Sequence, residues 1–403
     1  MNIENPKKVQ MLADQAHQVA KNVYRPISRK YDKAEHADPV ELNMLASLLD
    51  GMNDGAPSMS AGASNTGEIG GGADTSDGLT KNGSNLSTLM GIIELCWGDV
   101  GLLLAMPRQG LGDAAIAAVA NEEQLARFKG KWAAMAITEP GAGSDSGAIR
   151  TTATKDGDDY VLNGEKIYVT SGKRADAVVV WATLDKSLGK AAIKSFVVEH
   201  GTPGMEVTRL EHKLGIKASD TAAISFMNCR VPAKNLLGTE EVDTKKGFGG
   251  VMQTFDNTRP LVAGMAIGVA RASLERTREL LGKNSGSYRD LPLQASHVDA
   301  TLDHLEAELE AARLLTMKAA WMADNRIPNS LEASMAKAKA GRTAVEVTLK
   351  CVELCGVTGY RETELLEKWS RDAKILDIFE GTQQIQLLIV ARRLLNKSSK
   401  ELK

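Results

Sequence analysis

The sequence predicts a mainly α-helical protein with a β domain in its middle: an N-terminal helical domain, a middle antiparallel β-barrel or sandwich, and a C-terminal four-helix bundle. Apolar residues recur at helical spacing up to about residue 130, alternate with polar residues beyond it, and return to helical spacing from about residue 247. We therefore place the domains at residues 1–130, 131–240 and 241–403. A chain of 403 residues with 43% apolar content can supply a core for each domain.

The N-terminal domain is predicted from three helical stretches, at residues 9–31, 39–49 and 86–128. Between the second and the third, residues 51–87 consist largely of Gly, Ser, Asn and Asp. This segment cannot bury enough apolar surface to offset the entropy lost on ordering, so we expect a flexible loop. A loop of this length is either a functional lid or disordered, and the sequence does not separate the two.

The middle domain is predicted from short runs of β-branched and aromatic residues. Residues 160–162 and 167–169 flank Asn163-Gly164, which favours a tight hairpin turn because Asn and Gly adopt positive φ at little cost. Four further strands are predicted, at residues 177–182, 193–198, 205–210 and 222–227. The C-terminal bundle is predicted from 3.6-residue periodicity, which is clearest at residues 298–312, 331–355 and 385–395.

Composition and charge argue against several classes of protein. Lys and Arg (49) nearly balance Asp and Glu (51), so nothing favours nucleic acid or an anionic membrane as a partner. No apolar run reaches the ~18 residues of a membrane span, and the polar N-terminus does not resemble a signal peptide, so we expect a cytoplasmic protein. Cys351 and Cys355 lie one helical turn apart without a nearby histidine cluster, so we expect buried thiols and no metal.

The most informative stretch is residues 371–386, R-D-A-K-I-L-D-I-F-E-G-T-Q-Q-I-Q. Glu380 lies between two apolar runs and next to Gly381, which marks a break between helices. Poor solvation there raises the pKa of a carboxylate and makes it a better general base near neutral pH. The alternative is an ordinary helix end, with Gly381 as the C-cap and Glu380 turned to water.

Three other segments contain candidate site residues. Residues 136–147 are rich in Gly and small hydroxyl residues, which expose backbone N–H groups to a flat or anionic ligand. Residues 166–172 place an aromatic side chain and hydroxyls at a strand end. Residues 255–260, F-D-N-T-R-P, place an acid and a cation at the start of the C-terminal bundle. Taken singly, each is more simply an ordinary turn, strand end or helix start.

In this order and spacing, the four segments closely resemble the acyl-CoA dehydrogenase flavoprotein family, over about residues 86–395. The resemblance implies FAD as the cofactor, bound between the β domain and the helical bundles of two subunits, and Glu380 as the catalytic base. It implies that seven residues contact FAD: Thr138, Gly143, Ser144, Tyr168, Thr170, Thr382 and Gln384. It implies that six residues contact the substrate: Ser144, Phe255, Asp256, Arg259, Phe379 and Gly381.

The activity implied by the resemblance is α,β-dehydrogenation of an acyl-CoA thioester to the trans-2-enoyl-CoA, as in fatty acid β-oxidation. Glu380 takes the α-proton, flavin N5 accepts the hydride, and an electron-transfer flavoprotein takes the electrons. In some family members the catalytic base lies on the segment that corresponds to residues 255–260. In this sequence the corresponding position is Thr258, which favours Glu380 as the base. An acyl-CoA oxidase and a non-catalytic or site-sharing subunit remain alternatives.

Two departures from the family pattern concern groups that reach the FAD of a neighbouring subunit. Residues 283–287, K-N-S-G-S, replace an Arg-x-x-Phe-Gly element, and Glu353 and Val357 stand in a Gln-x-x-Gly-Gly element. The groups that serve this chain's own flavin are retained. The asymmetry predicts a heteromer, an α₂β₂ tetramer with a paralogous subunit, as the alternative to an ordinary homo-oligomer.

Overall fold

The computed structural model describes residues 7–52, 83–108, 111–242, 249–282, 296–399 and 401–402, without the side chains of 7–8, 48–52 and 249–257. Twelve α-helices lie in the described residues: α1 (Lys7–Val19), α2 (Arg25–Lys33), α3 (Val40–Met52), α4 (Ser84–Gly98), α5 (Val100–Ala105), α6 (Leu111–Val119), α7 (Glu122–Phe128), α8 (Gly249–Leu280), α9 (His297–Asp324), α10 (Ser330–Tyr360), α11 (Leu366–Leu376) and α12 (Gln383–Leu394). The strands are β1 (Ala133–Ala136), β2 (Thr152–Asp156), β3 (Asp159–Thr170), β4 (Ala177–Thr183), β5 (Ile193–Glu199), β6 (Met205–Leu210) and β7 (Thr221–Pro232).

The N-terminal helices agree with the predicted helical stretches. A π-helical turn, Ala20–Tyr24, joins α1 and α2 into one continuous helix. The loop predicted at residues 51–87 is wrong at both ends, because α3 continues to Met52 and α4 begins at Ser84. The start of α4 is anchored to the end of α9, since Asn85 N and Nδ2 both donate to Asp324 Oδ1 at 2.8 Å. Residues 53–82 lie outside the described part of the chain.

The strands form one mostly antiparallel sheet in the order β1-β4-β2-β3-β7-β6. Strand β5 also pairs with β4, and β1 runs parallel to β4. Every residue of β4 is buried, which explains its unbroken apolar run. Side chains on its two faces join two different cores, Val178, Val180 and Ala182 in one, and Ala177, Val179 and Trp181 in the other. Gly112 lets α6 approach the β1 backbone, because a Cβ there would lie 2.4 Å from Ala134 O.

The hairpin predicted at Asn163-Gly164 is wrong, because β3 runs straight through this pair. The actual turn is Gly157-Asp158, between β2 and β3. The glycine requirement at Gly164 has a different cause: its φ is 153°, it lies at a register shift of the strand, and a Cβ there would lie 2.4 Å from Thr151 Oγ1. Gly164 therefore lies at a bulge in β3, where the sequence predicted a turn.

The C-terminal helices α8 to α12 bury the apolar positions that periodicity predicted on α9, including Leu302, Leu305 and Leu309. Helix α10 packs against α8, α9, α11 and α12. Gly341 of α10 approaches the end of α11 closely, since a Cβ there would lie 2.8 Å from Leu376 O. This contact places α10 beside the turn that follows α11. No helix in the described ranges is long and apolar enough to cross a membrane.

Candidate active site

Glu380 lies in the turn between α11 and α12, where the sequence predicted a break. Glu380 and Gly381 have φ values of 57° and 94°, so two successive left-handed residues reverse the chain. Thr382 then caps α12, with its Oγ1 accepting from Ile385 N at 3.4 Å. Glycine is favoured at position 381, because a φ of 94° strains any other residue and a Cβ would also lie 2.4 Å from Gln386 Nε2.

Buried side chains hold the backbone of this turn. Gln386, which is fully buried, donates through Nε2 to Glu380 O at 3.0 Å and to Gly381 O at 3.2 Å. Lys337 Nζ of α10 donates to the same Gly381 carbonyl at 2.6 Å. Three hydrogen bonds to two adjacent carbonyls fix the direction in which the Glu380 side chain leaves the backbone.

The Glu380 carboxylate points toward α8, where Thr258 Oγ1 donates to Oε2 at 2.7 Å. Thr258 is 1% exposed, and its neighbour Arg259 is 2% exposed. Burial raises the pKa of Glu380, while the Thr258 hydrogen bond and the positive charges of Arg259 and Lys337 oppose that rise. The carboxylate is therefore not turned to water as in an ordinary helix end, and a carboxylate with a raised pKa is suited to accept a proton.

Sequence reasoning missed Glu139 and Lys166, which organise the Gly-rich loop at residues 136–147. Glu139 Oε1 accepts from Thr151 Oγ1 at 2.6 Å and from Lys166 Nζ at 2.8 Å. Lys166 Nζ also donates to Ile137 O at 3.1 Å, and burial lowers the pKa of Lys166 to about 8. These contacts fix the base of the loop and leave Gly143 in open space. A lysine in an alternating strand pattern gives no sequence signal of complete burial.

Thr138, Tyr168 and Thr170 lie on adjoining backbone, because Ile167 N donates to Thr138 O at 2.9 Å. A register shift between Lys166 and Val169 turns Tyr168 outward, with a φ of 57° and 62% of the residue exposed. The hydroxyls of Thr138 and Thr170, and that of exposed Ser144, have no hydrogen-bond partner among the described residues. No hydrogen bond among the described residues joins Thr138, Ser144, Tyr168 or Thr170 to Glu380.

The structure describes the remaining predicted site residues to different extents. Phe255 and Asp256 lie on α8, but their side chains fall outside the described structure. Arg259 is buried, with Nη1 3.4 Å from Ser334 Oγ. Phe379 packs against the apolar core that the N-terminal and C-terminal helices share. Gln384 is exposed on the first turn of α12.

The positions that depart from the family pattern lie partly within the described structure. Residues 283–287 are outside it. Glu353 pairs with Lys350 at 2.6 Å, and Val357 is 76% exposed beside a kink at Gly356. The cysteine thiols are free, Cys351 buried as predicted and Cys355 only partly buried.

Glu35, His36 and His212 form the one described group of three potential metal ligands, with ligand atoms within 4.8 Å of one another. Burial, together with the charges of Lys213 and Lys173, lowers the pKa of His36. The same lysines would repel a divalent cation, so we assign no metal to this cluster.

Comparison with known proteins identifies the family. The model of the acyl-CoA dehydrogenase middle domain matches residues 134–229, and that of the C-terminal domain matches residues 245–395. A short-chain specific acyl-CoA dehydrogenase of Clostridium acetobutylicum is 36% identical over 280 residues, 68% of this chain and 73% of that protein. The chain belongs to the acyl-CoA dehydrogenase family.

Two further comparisons agree with this assignment. The mitochondrial short-chain specific acyl-CoA dehydrogenase of Mus musculus is 39% identical over 260 residues, 64% of this chain, and the chain spans 62% of that relative's length. The structure of butyryl-CoA dehydrogenase from Megasphaera elsdenii aligns with a TM-score of 0.82 and 31% identity, over 98% of this chain and 100% of that one.

Acyl-CoA dehydrogenases are FAD flavoproteins, and the residues of this chain fit such a cofactor. Tyr168 offers an exposed aromatic face. Thr138 and Thr170 offer hydroxyls that no described residue engages, and the buried Ser171 Oγ beside them also lacks a partner. An aromatic face surrounded by unpaired hydroxyls matches a planar ring edged with carbonyl oxygens and nitrogens.

Proposed function

We propose that the protein is an FAD-dependent acyl-CoA dehydrogenase that converts an acyl-CoA thioester to the trans-2-enoyl-CoA, with Glu380 as the base. The observation that carries the proposal is the Glu380 carboxylate, fixed on a reversed turn, hydrogen-bonded to Thr258, and raised in pKa by burial. General bases that work near neutral pH need such tuning.

The turn supplies two functions at one residue. Glu380 Oε accepts the α-proton, which the adjacent thioester carbonyl acidifies. The Glu380 backbone N–H donates to no described residue and is therefore available to the developing negative charge on the thioester oxygen. When bound, FAD supplies the acceptor for the β-hydrogen, which leaves as hydride. The proposed substrate contacts come from six residues: Ser144, Phe255, Asp256, Arg259, Phe379 and Gly381.

The FAD contacts are proposed on the β domain and on α12. Thr138, Gly143, Ser144, Tyr168 and Thr170 serve the flavin half, since Gly143, Ser144 and Tyr168 are exposed and Thr138 and Thr170 are partly exposed. Thr382 and Gln384 serve the adenylate half from the first turn of α12, whose N-terminus favours anionic groups. An electron-transfer flavoprotein is the proposed electron acceptor.

The test is Glu380→Gln, which keeps the size of the side chain and removes its ability to accept a proton. Butyryl-CoA should still bind, whereas its reduction of bound FAD in a stopped-flow experiment should slow by a factor on the order of 10²–10⁴. Adding Thr258→Glu should restore part of the rate, since position 258 lies within hydrogen-bond distance of the carboxylate. Flavin bleaching at an undiminished rate in Glu380→Gln would exclude Glu380 as the base.

We further propose that the chain functions with a paralogous subunit in an α₂β₂ tetramer. Glu353 and exposed Val357 replace the polar and small residues that would serve a neighbour's FAD, and Glu353 would repel a pyrophosphate. The experiment is FAD stoichiometry: one FAD per chain, with turnover, in the protein purified alone would refute the heteromer. FAD that appears only on co-expression with a paralogue would support it.

A further inference from the structure

Lys337 is a buried charged group beside the base that the proposed chemistry does not use. Its side chain is fully buried in the middle of α10, where lysine is rarely found without a specific partner. Its Nζ donates to Gly381 O at 2.6 Å. The contact joins two parts of the chain that are 44 residues apart and ends on the residue directly after Glu380.

The hydrogen bond restrains the part of the turn that determines the direction of Glu380. Gly381 has a φ of 94°, which the peptide after Glu380 must keep for the carboxylate to meet Thr258. Lys337 and Gln386 share the Gly381 carbonyl from opposite elements, α10 and α12. A carbonyl held from both sides cannot rotate without losing a buried hydrogen bond.

Lys337 also contributes charge at this position. Asp377 and Glu380 face it from the turn and Arg259 faces it from α8. Burial lowers the pKa of Lys337 to about 8 against the opposing effect of the two carboxylates, so the ammonium form still predominates at pH 7. Its positive charge favours the ionised form of Glu380.

We propose that Lys337 is a positioning residue for Glu380, acting through its hydrogen bond to the Gly381 carbonyl and through a buried positive charge on the inner side of the turn. The proposal rests on the proposed role of Glu380 as the base. It adds a second device to the Thr258 hydrogen bond: α8 orients the carboxylate directly, and α10 holds the backbone that carries it.

Three variants separate the hydrogen bond from the charge. Lys337→Met keeps the unbranched stem and removes both the donor and the charge. It should fold because Lys337 forms no ion pair with a described residue, so no carboxylate is left without an ion-pair partner. Lys337→Gln keeps a neutral donor. Lys339→Met is the matched control, since Lys339 lies on the same helix but pairs with Glu308 at the surface.

The first readout needs no flavin. Infrared titration of the protonated carboxyl band, with the Glu380→Gln spectrum of each background subtracted, reports the ionisation midpoint of Glu380. We expect the midpoint to rise by about one pH unit in Lys337→Met, to rise less in Lys337→Gln, and to stay unchanged in Lys339→Met. A midpoint in Lys337→Met equal to that of the wild type would overturn the proposal.

The second readout is the pH dependence of FAD reduction by butyryl-CoA. Its acidic limb should move to higher pH in Lys337→Met, so that on this limb the rate falls by up to about tenfold for a shift of about one pH unit. If the wild type reduces no flavin while the infrared midpoint still shifts, the proposed function fails and the positioning role stands. If Lys337→Met does not fold, Lys337→Gln decides between the same outcomes.

Discussion

Replacing Thr258 by Val tests how strongly the hydroxyl of α8 tunes the base. Val matches the shape of Thr, so the change removes the donor that lies 2.7 Å from Glu380 Oε2 and keeps the packing of a residue that is 1% exposed. A hydrogen bond to a charged group contributes about 1.5–3 kcal/mol. Since about 1.4 kcal/mol corresponds to one pH unit, the Glu380 pKa should rise by about 1–2 units above its already raised value.

The assay is the rate of FAD reduction by butyryl-CoA between pH 6 and 9. The Thr258 hydroxyl stabilises the ionised form of Glu380. Its loss therefore leaves more Glu380 protonated and moves the acidic limb of the rate profile to higher pH. Thr258→Ser is the control, because it keeps the hydroxyl and should keep the limb within a few tenths of a unit. A limb in Thr258→Val that coincides with that of Thr258→Ser would refute the assignment of the hydrogen bond as a tuning contact.

Two further predictions concern stability. Burial raises the pKa of Asp113 to about 7, so folding takes up a proton and stability falls as pH rises from about 4 to 7. The stability gain of Asp113→Asn over the wild type, measured by urea unfolding, should therefore be larger at pH 8 than at pH 5 by about 2–3 kcal/mol. Lys368→Met leaves the buried carboxylates of Asp99 and Asp372 without their shared ammonium group and should cost about 3–5 kcal/mol, whereas Lys374→Met on the exposed side of the same helix should change the free energy of unfolding by less than about 0.5 kcal/mol.

The sequence by itself determined the order of helical, β and helical segments, because periodicity is a local property. It predicted β6 at its exact bounds, residues 205–210, and located the break at Glu380-Gly381 between two helices. The motifs around these residues also sufficed to recognise the family. What they imply about individual FAD and substrate contacts remains a set of proposals.

Only the tertiary structure decided which distant groups meet. Thr258 and Glu380 are 122 residues apart, and their contact depends on how α8 packs beside the end of α11. Asn163-Gly164 favours a turn locally, yet strand pairing with β2 and β7 overrides that preference and uses the glycine in a bulge. The burial of Lys337 also depends on tertiary packing. A lysine in a helical pattern indicates a solvent-facing position, and only the packing of α10 against the turn buries Lys337 beside the base.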